Sequence, residues 1–148
     1  MATIERSVDI DAPAQRVWEL LEDVRRLPEY SESTSEVRDA PERLTSVGQE
    51  YVQVGRVLGV KLTSHWRVTA IEPDHLISSE GTLTAGVRYC LTQRLESLSE
   101  DASRLSITID YDVPGGALGR FAARAGAEQR AAHEAEQVLD GIKRTVEN

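Results

Sequence analysis

Several side chains in this sequence could do chemistry by their type and position. Arg6 shares a strand face with Ile4, Val8 and Ile10, where alternation expects burial. A guanidinium there either snorkels to water from a frayed strand end or serves as a cation at a cavity rim, suited to a carboxylate or phenolate. Tyr89, Leu91 and Gln93 share one face of a later strand, and Tyr111 lies on the apolar face of the last strand. A buried tyrosine needs a partner for its hydroxyl, so Tyr89 and Tyr111 are either satisfied core residues or polar handles in an apolar pocket. Tyr51 can face either way. Gln129 is a single polar residue on what reads as the inner stripe of a helix, where it could hydrogen-bond a ligand or the backbone. Cys90 alternates with Tyr89 and Leu91, which favours a structural thiol over a reactive one.

Other chemistries find no support. The histidines at 65, 75 and 133 are not spaced for a local metal site, so no metal is expected. There is no phosphate-binding loop, dinucleotide glycine fingerprint, nucleophile elbow or zinc-protease motif, and no cofactor is expected. The chain has 148 residues, which reads as one domain over 1–148. Its net charge of −8 argues against a nucleic-acid partner, which needs a basic stripe, and against attraction to an anionic membrane surface. One cysteine excludes an intrachain disulfide. With no integral membrane segment and no leader, the expected location is cytoplasmic, as a monomer or homodimer.

These residues need elements to position them. Positions 3–9 alternate as a half-buried strand, and Asp11-Ala12-Pro13 supplies a helix start with Asp11 as a candidate cap. Val17, Leu20, Leu21 and Val24 step as one face of a short helix, which Leu27-Pro28 breaks before a second short turn. Strands follow over 33–40, 49–57, 60–71, 75–80, 86–97 and 103–113, separated by turn signals that favour antiparallel pairing. The period then changes to 3.6 over 118–146, with Leu118, Phe121, Ala122, Ala125, Gln129, Ala132, Glu136, Leu139, Ile142 and Val146 on one stripe. Phe121 should cap a gap left beside Ala125, and the glycines at 115, 116 and 119 could hinge the helix or form a plain turn. Glu128, Glu134 and Glu136 read as a solvated helix face.

Strand 60–71 holds the main ambiguity. With Leu62, Ser64, Trp66 and Val68 inward, Trp66 lines a pocket, and His65 and Arg67 face solvent. In the opposite register, or across a bulge, His65, Arg67, Thr69 and Ile71 face in. Val68 and Ile71 are both apolar yet of opposite parity, which hints at a bulge. The reading with Trp66 inward is preferred.

Three stretches carry a family resemblance: VDIDAPAQRVWELLEDVRRLPEY (8–30), VTAIEPDHLI (68–77) and SRLSITIDYDVPGGALGRFAARAG (103–126). Together they resemble the polyketide cyclase/dehydrase-like branch of the START-related superfamily, SRPBCC, over nearly the whole chain. The resemblance implies an α+β helix-grip fold, in which a curved seven-stranded antiparallel sheet wraps a long C-terminal helix and two short helices follow strand 1. It also implies an apolar cavity between sheet and helix, and hence a hydrophobic small-molecule partner such as a lipid, isoprenoid, quinone or polyketide. On that reading Trp66, Tyr89, Leu91, Tyr111, Phe121, Ala125, Gln129, Arg6 and Tyr51 are the ligand-binding candidates. The alternative is an aromatase/cyclase acting on a poly-β-ketone, for which Ser64 and Arg67 are the nearest catalytic residue types, although their parity differs. A protein-interaction module is the third reading, and nothing basic or strongly apolar on the expected exterior supports it.

Overall fold

The computed structural model describes the backbone of residues 2–57, 59–83, 87–112 and 117–148; the side chains at 2, 57, 112, 117–125 and 127 lie outside that description. Strand β1 (Ala2–Ile10) is followed by helix α1 (Ala14–Glu22), a single 3-10 turn (Val24–Arg26) and the short helix α2 (Leu27–Tyr30). Six strands come next: β2 (Thr34–Arg38), β3 (Glu50–Val57), β4 (Val60–Glu72), β5 (Leu76–Leu83), β6 (Arg88–Ser99) and β7 (Ala102–Asp112). The long helix α3 (Ala117–Glu147) closes the chain. All strands pair antiparallel in one seven-stranded sheet of order β1-β7-β6-β5-β4-β3-β2, so β1 and β2 are its edges. This is the helix-grip arrangement.

Alternation decides the sheet's faces. Leu105, Ile107, Ile109 and Tyr111 of β7 are buried, as are Ile4 and Ile10 of β1. Val17, Leu20 and Leu21 of α1 and Val24 after it cover one end of that apolar surface. The helix start differs from the Asp11 cap: α1 begins after Pro13, whose carbonyl receives the Arg16 N–H at 3.0 Å. Asp11 instead gives its backbone N–H to the Glu147 carboxylate at 2.8 Å, while Lys143 Nζ donates to the Asp9 carbonyl at 3.1 Å. The end of α3 is therefore pinned to the β1–α1 turn.

Helix α3 closes the core with Ala131, Ala135, Leu139, Ile142 and Val146. That stripe shares its last three members with the expected one and departs from it earlier. Gln129 and Glu136 are exposed, which corrects the placement of Gln129 on the inner stripe. At 100° per residue, the true stripe runs through 131 and 135, and Gln129 falls more than a quarter-turn from its centre. The side chains of Phe121 and Ala125 and the glycines at 115 and 116 lie outside what the structure describes, so the expected mouth and hinge do too.

A second stripe of α3 grips the corner between α2 and β2. Gln137 spans that corner, with its Nε2 donating to the Tyr30 carbonyl at 2.9 Å and its Oε1 accepting the Glu32 N–H at 3.0 Å. One turn on, a Cβ placed on Gly141 would collide with the same Tyr30 oxygen, so only glycine permits this approach. Tyr30 is consequently buried, at 4% exposure.

Burial holds the hydroxyls of Tyr30 and Tyr51 above the ordinary tyrosine range, chiefly by desolvating the phenolate. A folded pKa raised above the unfolded value of 10.0 gives stability that is whole below pH 10 and is lost as pH climbs toward the folded pKa. Each tyrosine should then add about 1.4 kcal/mol per pH unit to the alkaline loss. Urea midpoints from about pH 9 to 11.5 test this. Tyr30→Phe should flatten the alkaline slope by one proton, and an unchanged slope would remove Tyr30 as a contributor.

Candidate functional site

Four register pairs run straight across the inner face of the sheet: Tyr51 opposite Trp66, Trp66 opposite Gly81, Gly81 opposite Tyr89 and Tyr89 opposite Tyr111. Five neighbouring strands thus present one rung of four aromatic residues and a glycine. Gly81 is what allows the rung to close. A Cβ there would lie 2.6–2.7 Å from three carbons of the Trp66 indole, so the ring rests flat on glycine backbone. Tyr51 lies nearly parallel to it, with centroids 6.5 Å apart and planes 11° apart. On the far side Tyr89 tilts by 46° against Tyr111 at 6.3 Å.

Strand β4 delivers Trp66 inward through a register shift between Val68 and Ala70. Before it, Ser64, Trp66 and Val68 face in; after it, Ile71 stands opposite Ile77 on the same face. The apolar residues of opposite parity are both accommodated by that bulge. His65 and Arg67 face outward. Arg67 sits 3.8 Å from Glu80 with more than half its side chain exposed, which corrects its candidacy beside Ser64.

Ser64 borders the rung and is nearly buried. It accepts the Trp66 Nε1–H at 2.9 Å and donates to the Gln53 carbonyl at 3.4 Å. The indole N–H is therefore satisfied within the protein, and Trp66 offers a π face without a donor. Gln53 donates to Thr34 Oγ1 at 2.7 Å, and Thr34 shares a 2.8 Å hydrogen bond with Ser31. Both Ser31, at 3.3 Å, and Ser33, at 2.5 Å, donate to Oε1 of Glu134 on α3. Glu134 is half-buried, so it does not belong to a solvated face as its acidic neighbours suggest.

The remaining candidates divide. Leu91 is half-buried next to the rung on β6, opposite Ser79 and Ile109. Tyr89 is half-buried, and its hydroxyl is held above the ordinary range by desolvation, with Arg130 pulling it down and Glu134 pushing it up. Arg6 is corrected: on the edge strand β1 it pairs with Glu136 of α3 at 3.1 Å, with 44% of its side chain exposed, and donates to the Glu5 carbonyl. Such an exposed pair contributes roughly 0–1 kcal/mol. The Cys90 thiol, on the outer face, is pushed up by desolvation and then by Asp110 and Glu80, against a lowering hydrogen bond with Thr92, which favours the protonated form.

Two open grooves lie elsewhere. One of about 320 Å³ runs over Leu76, Arg94 and Arg104 on the outer sheet face, and one of about 590 Å³ follows His133, Asp140 and Lys143 on α3. Both are lined largely by charged side chains, and neither touches the rung. Among the described residues no group of His, Cys, Asp and Glu could hold a metal ion, and no helix is long and apolar enough to cross a membrane.

The helix-grip fold and the family match together define a protein of the SRPBCC, polyketide cyclase-like class. Residues 1–147 match the family described as polyketide cyclase / dehydrase and lipid transport, and the chain belongs to that family. An uncharacterized protein of Mycobacterium tuberculosis H37Rv is 28% identical over 128 residues, covering 84% of this chain and 88% of that protein. A protein from Thermus thermophilus superposes with TM-score 0.80 at 18% identity, covering 98% of this chain and 97% of the other. The Zhui aromatase/cyclase of Streptomyces sp. R1128 does so with TM-score 0.76 at 23% identity, covering 98% and 95%.

Proposed function

We propose that this protein binds a hydrophobic small molecule between the inner face of the sheet and α3, and that the molecule carries a planar, conjugated ring. The family's description supports the general role. The observation that carries the ring is the Trp66 indole lying flat on Gly81 with its N–H already taken by Ser64. One indole face rests on the sheet and the other turns away from it, on a side chain that is only half-buried. Offset stacking of a second ring there adds about 0.5–1.5 kcal/mol beyond area burial, which a saturated acyl chain cannot collect. Among lipids, isoprenoids, quinones and polyketides, the quinone and polyketide classes fit this floor best.

A catalytic reading, cyclisation of a poly-β-ketone, requires a proton acceptor and a donor or cation at the enolate oxygen. Ser64 lies beside the rung, but Arg67 faces the other side of the sheet, so the binding reading is preferred. The test uses the chain's two tryptophans. Trp18 is buried in the core at 6% exposure, and Trp18→Phe leaves Trp66 as the sole indole reporter. Anthracene derivatives should quench its emission saturably and with higher affinity than a saturated fatty alcohol of similar area displaces them. Absence of saturable quenching would end the proposal.

A further inference from the structure

The polar groups beside the aromatic rung form one hydrogen-bonded chain, and a count of protons fixes its direction. Glu134 of α3 is the terminus, an acceptor for the Ser33 hydroxyl at 2.5 Å and the Ser31 hydroxyl at 3.3 Å. A hydroxyl has a single proton to give. Ser31 gives its own to the carboxylate, so in the 2.8 Å contact with Thr34 it accepts and Thr34 donates. Thr34 then has no proton left, and its 2.7 Å contact with Gln53 requires the amide nitrogen to be the donor. The flipped amide would set oxygen against oxygen with no hydrogen between them. Gln53 Nε2 is thereby tied to Thr34, and among the described residues no hydrogen bond reaches Gln53 Oε1.

Gln53 and Tyr51 lie two residues apart on the inner face of β3, and their register partners on β4 are Ser64 and Trp66. Gln53 thus stands one rung on from the aromatic one, roughly 7 Å along the strands at about 3.4 Å per residue. Like Trp66, it is only half-buried. We propose that Gln53 Oε1 accepts a hydrogen bond from a hydroxyl on the ligand ring that rests on Trp66, so that the protein selects phenolic or enolic rings over their methyl ethers. The proposal builds on the binding reading above. A ligand O–H here meets a fixed acceptor, whereas an ether oxygen meets a second acceptor and both lose water without gaining a proton. Glu134 touches no ligand in this arrangement. It sets the direction of the donors and, through them, the orientation of the amide.

The experiment titrates Trp18→Phe protein at neutral pH with 2-anthrol and with 2-methoxyanthracene, reading Trp66 quenching. Gln53→Met keeps the length of the side chain without its amide. It should lower the phenol-to-ether affinity ratio about five- to tenfold, with the ether held within twofold. Gln53→Glu supplies an acceptor again and should keep the preference. Thr34→Val retains the amide but removes the oxygen that orients it, and should lower the ratio by a smaller factor. A ratio unchanged in Gln53→Met, or equal weakening of both probes, overturns the hydroxyl contact while leaving ring binding intact. If neither probe binds the parent protein, both proposals fall together.

Discussion

Gly141→Ala should destabilise the protein by about 2 kcal/mol, against the gain of roughly 1 kcal/mol that alanine gives over glycine in an unconstrained helix. The sign follows from the Tyr30 carbonyl, which the new Cβ would overlap. That oxygen is backbone and cannot swing aside. The corner must lift from α3, lengthening the two Gln137 bonds that span it. At roughly 2–4 °C per kcal/mol for a domain near this size, the midpoint should drop by about 4–8 °C. Urea unfolding with an unchanged slope is the measurement. A higher midpoint would show that α3 stands off the corner in solution.

The second large effect is on the site. Gly81→Ala puts a methyl group into the Trp66 ring at 2.6–2.7 Å, so the indole must rotate off the sheet. Rotation breaks the Nε1–Ser64 hydrogen bond and the parallel contact with Tyr51. Ring affinity should fall at least tenfold, with a stability cost of roughly 1–3 kcal/mol from overpacking. In the Trp18→Phe background the Trp66 emission should shift to the red. A double-mutant cycle separates this from general damage: once Trp66→Ala has removed the ring, Gly81→Ala should cost almost no further affinity. Full additivity would place the ligand elsewhere.

Much of the architecture is legible from local pattern. The alternation of Leu105, Ile107, Ile109 and Tyr111 reports one buried face, and that face is buried. The clash of parity between Val68 and Ile71 announces the β4 bulge, because two apolar residues cannot share a face at odd spacing without an extra residue. The rung is visible only in pieces. Tyr51, Trp66, Tyr89 and Tyr111 are each candidates, but their alignment depends on four strand registers that no single segment encodes. Gly81 reads as punctuation, since its role comes from the indole on the neighbouring strand.

The polar side of the site is harder still. Helix α3 buries an apolar stripe against β1 and α1 and a polar stripe against the α2–β2 corner. Periodicity detects only the first, so averaging the two faces shifts the apparent stripe toward Gln129. Glu134 looks like its solvated neighbours because its partners, Ser31 and Ser33, lie about a hundred positions earlier.

The edge position of β1 has a consequence for how the chain is made. Among the described residues its strand partner is β7 alone, and the register joins Ile4 to Ile109 and Val8 to Leu105. During synthesis β1 therefore leaves the ribosome about a hundred residues before its partner does. At roughly 5–20 residues per second that interval is about 5–20 s, with Ile4, Val8 and Ile10 unpartnered throughout. The β3–β6 meander can zip through neighbouring hairpins in the meantime, since loop closure there is short. Nascent-chain aggregation and chaperone dependence should thus concentrate in β1.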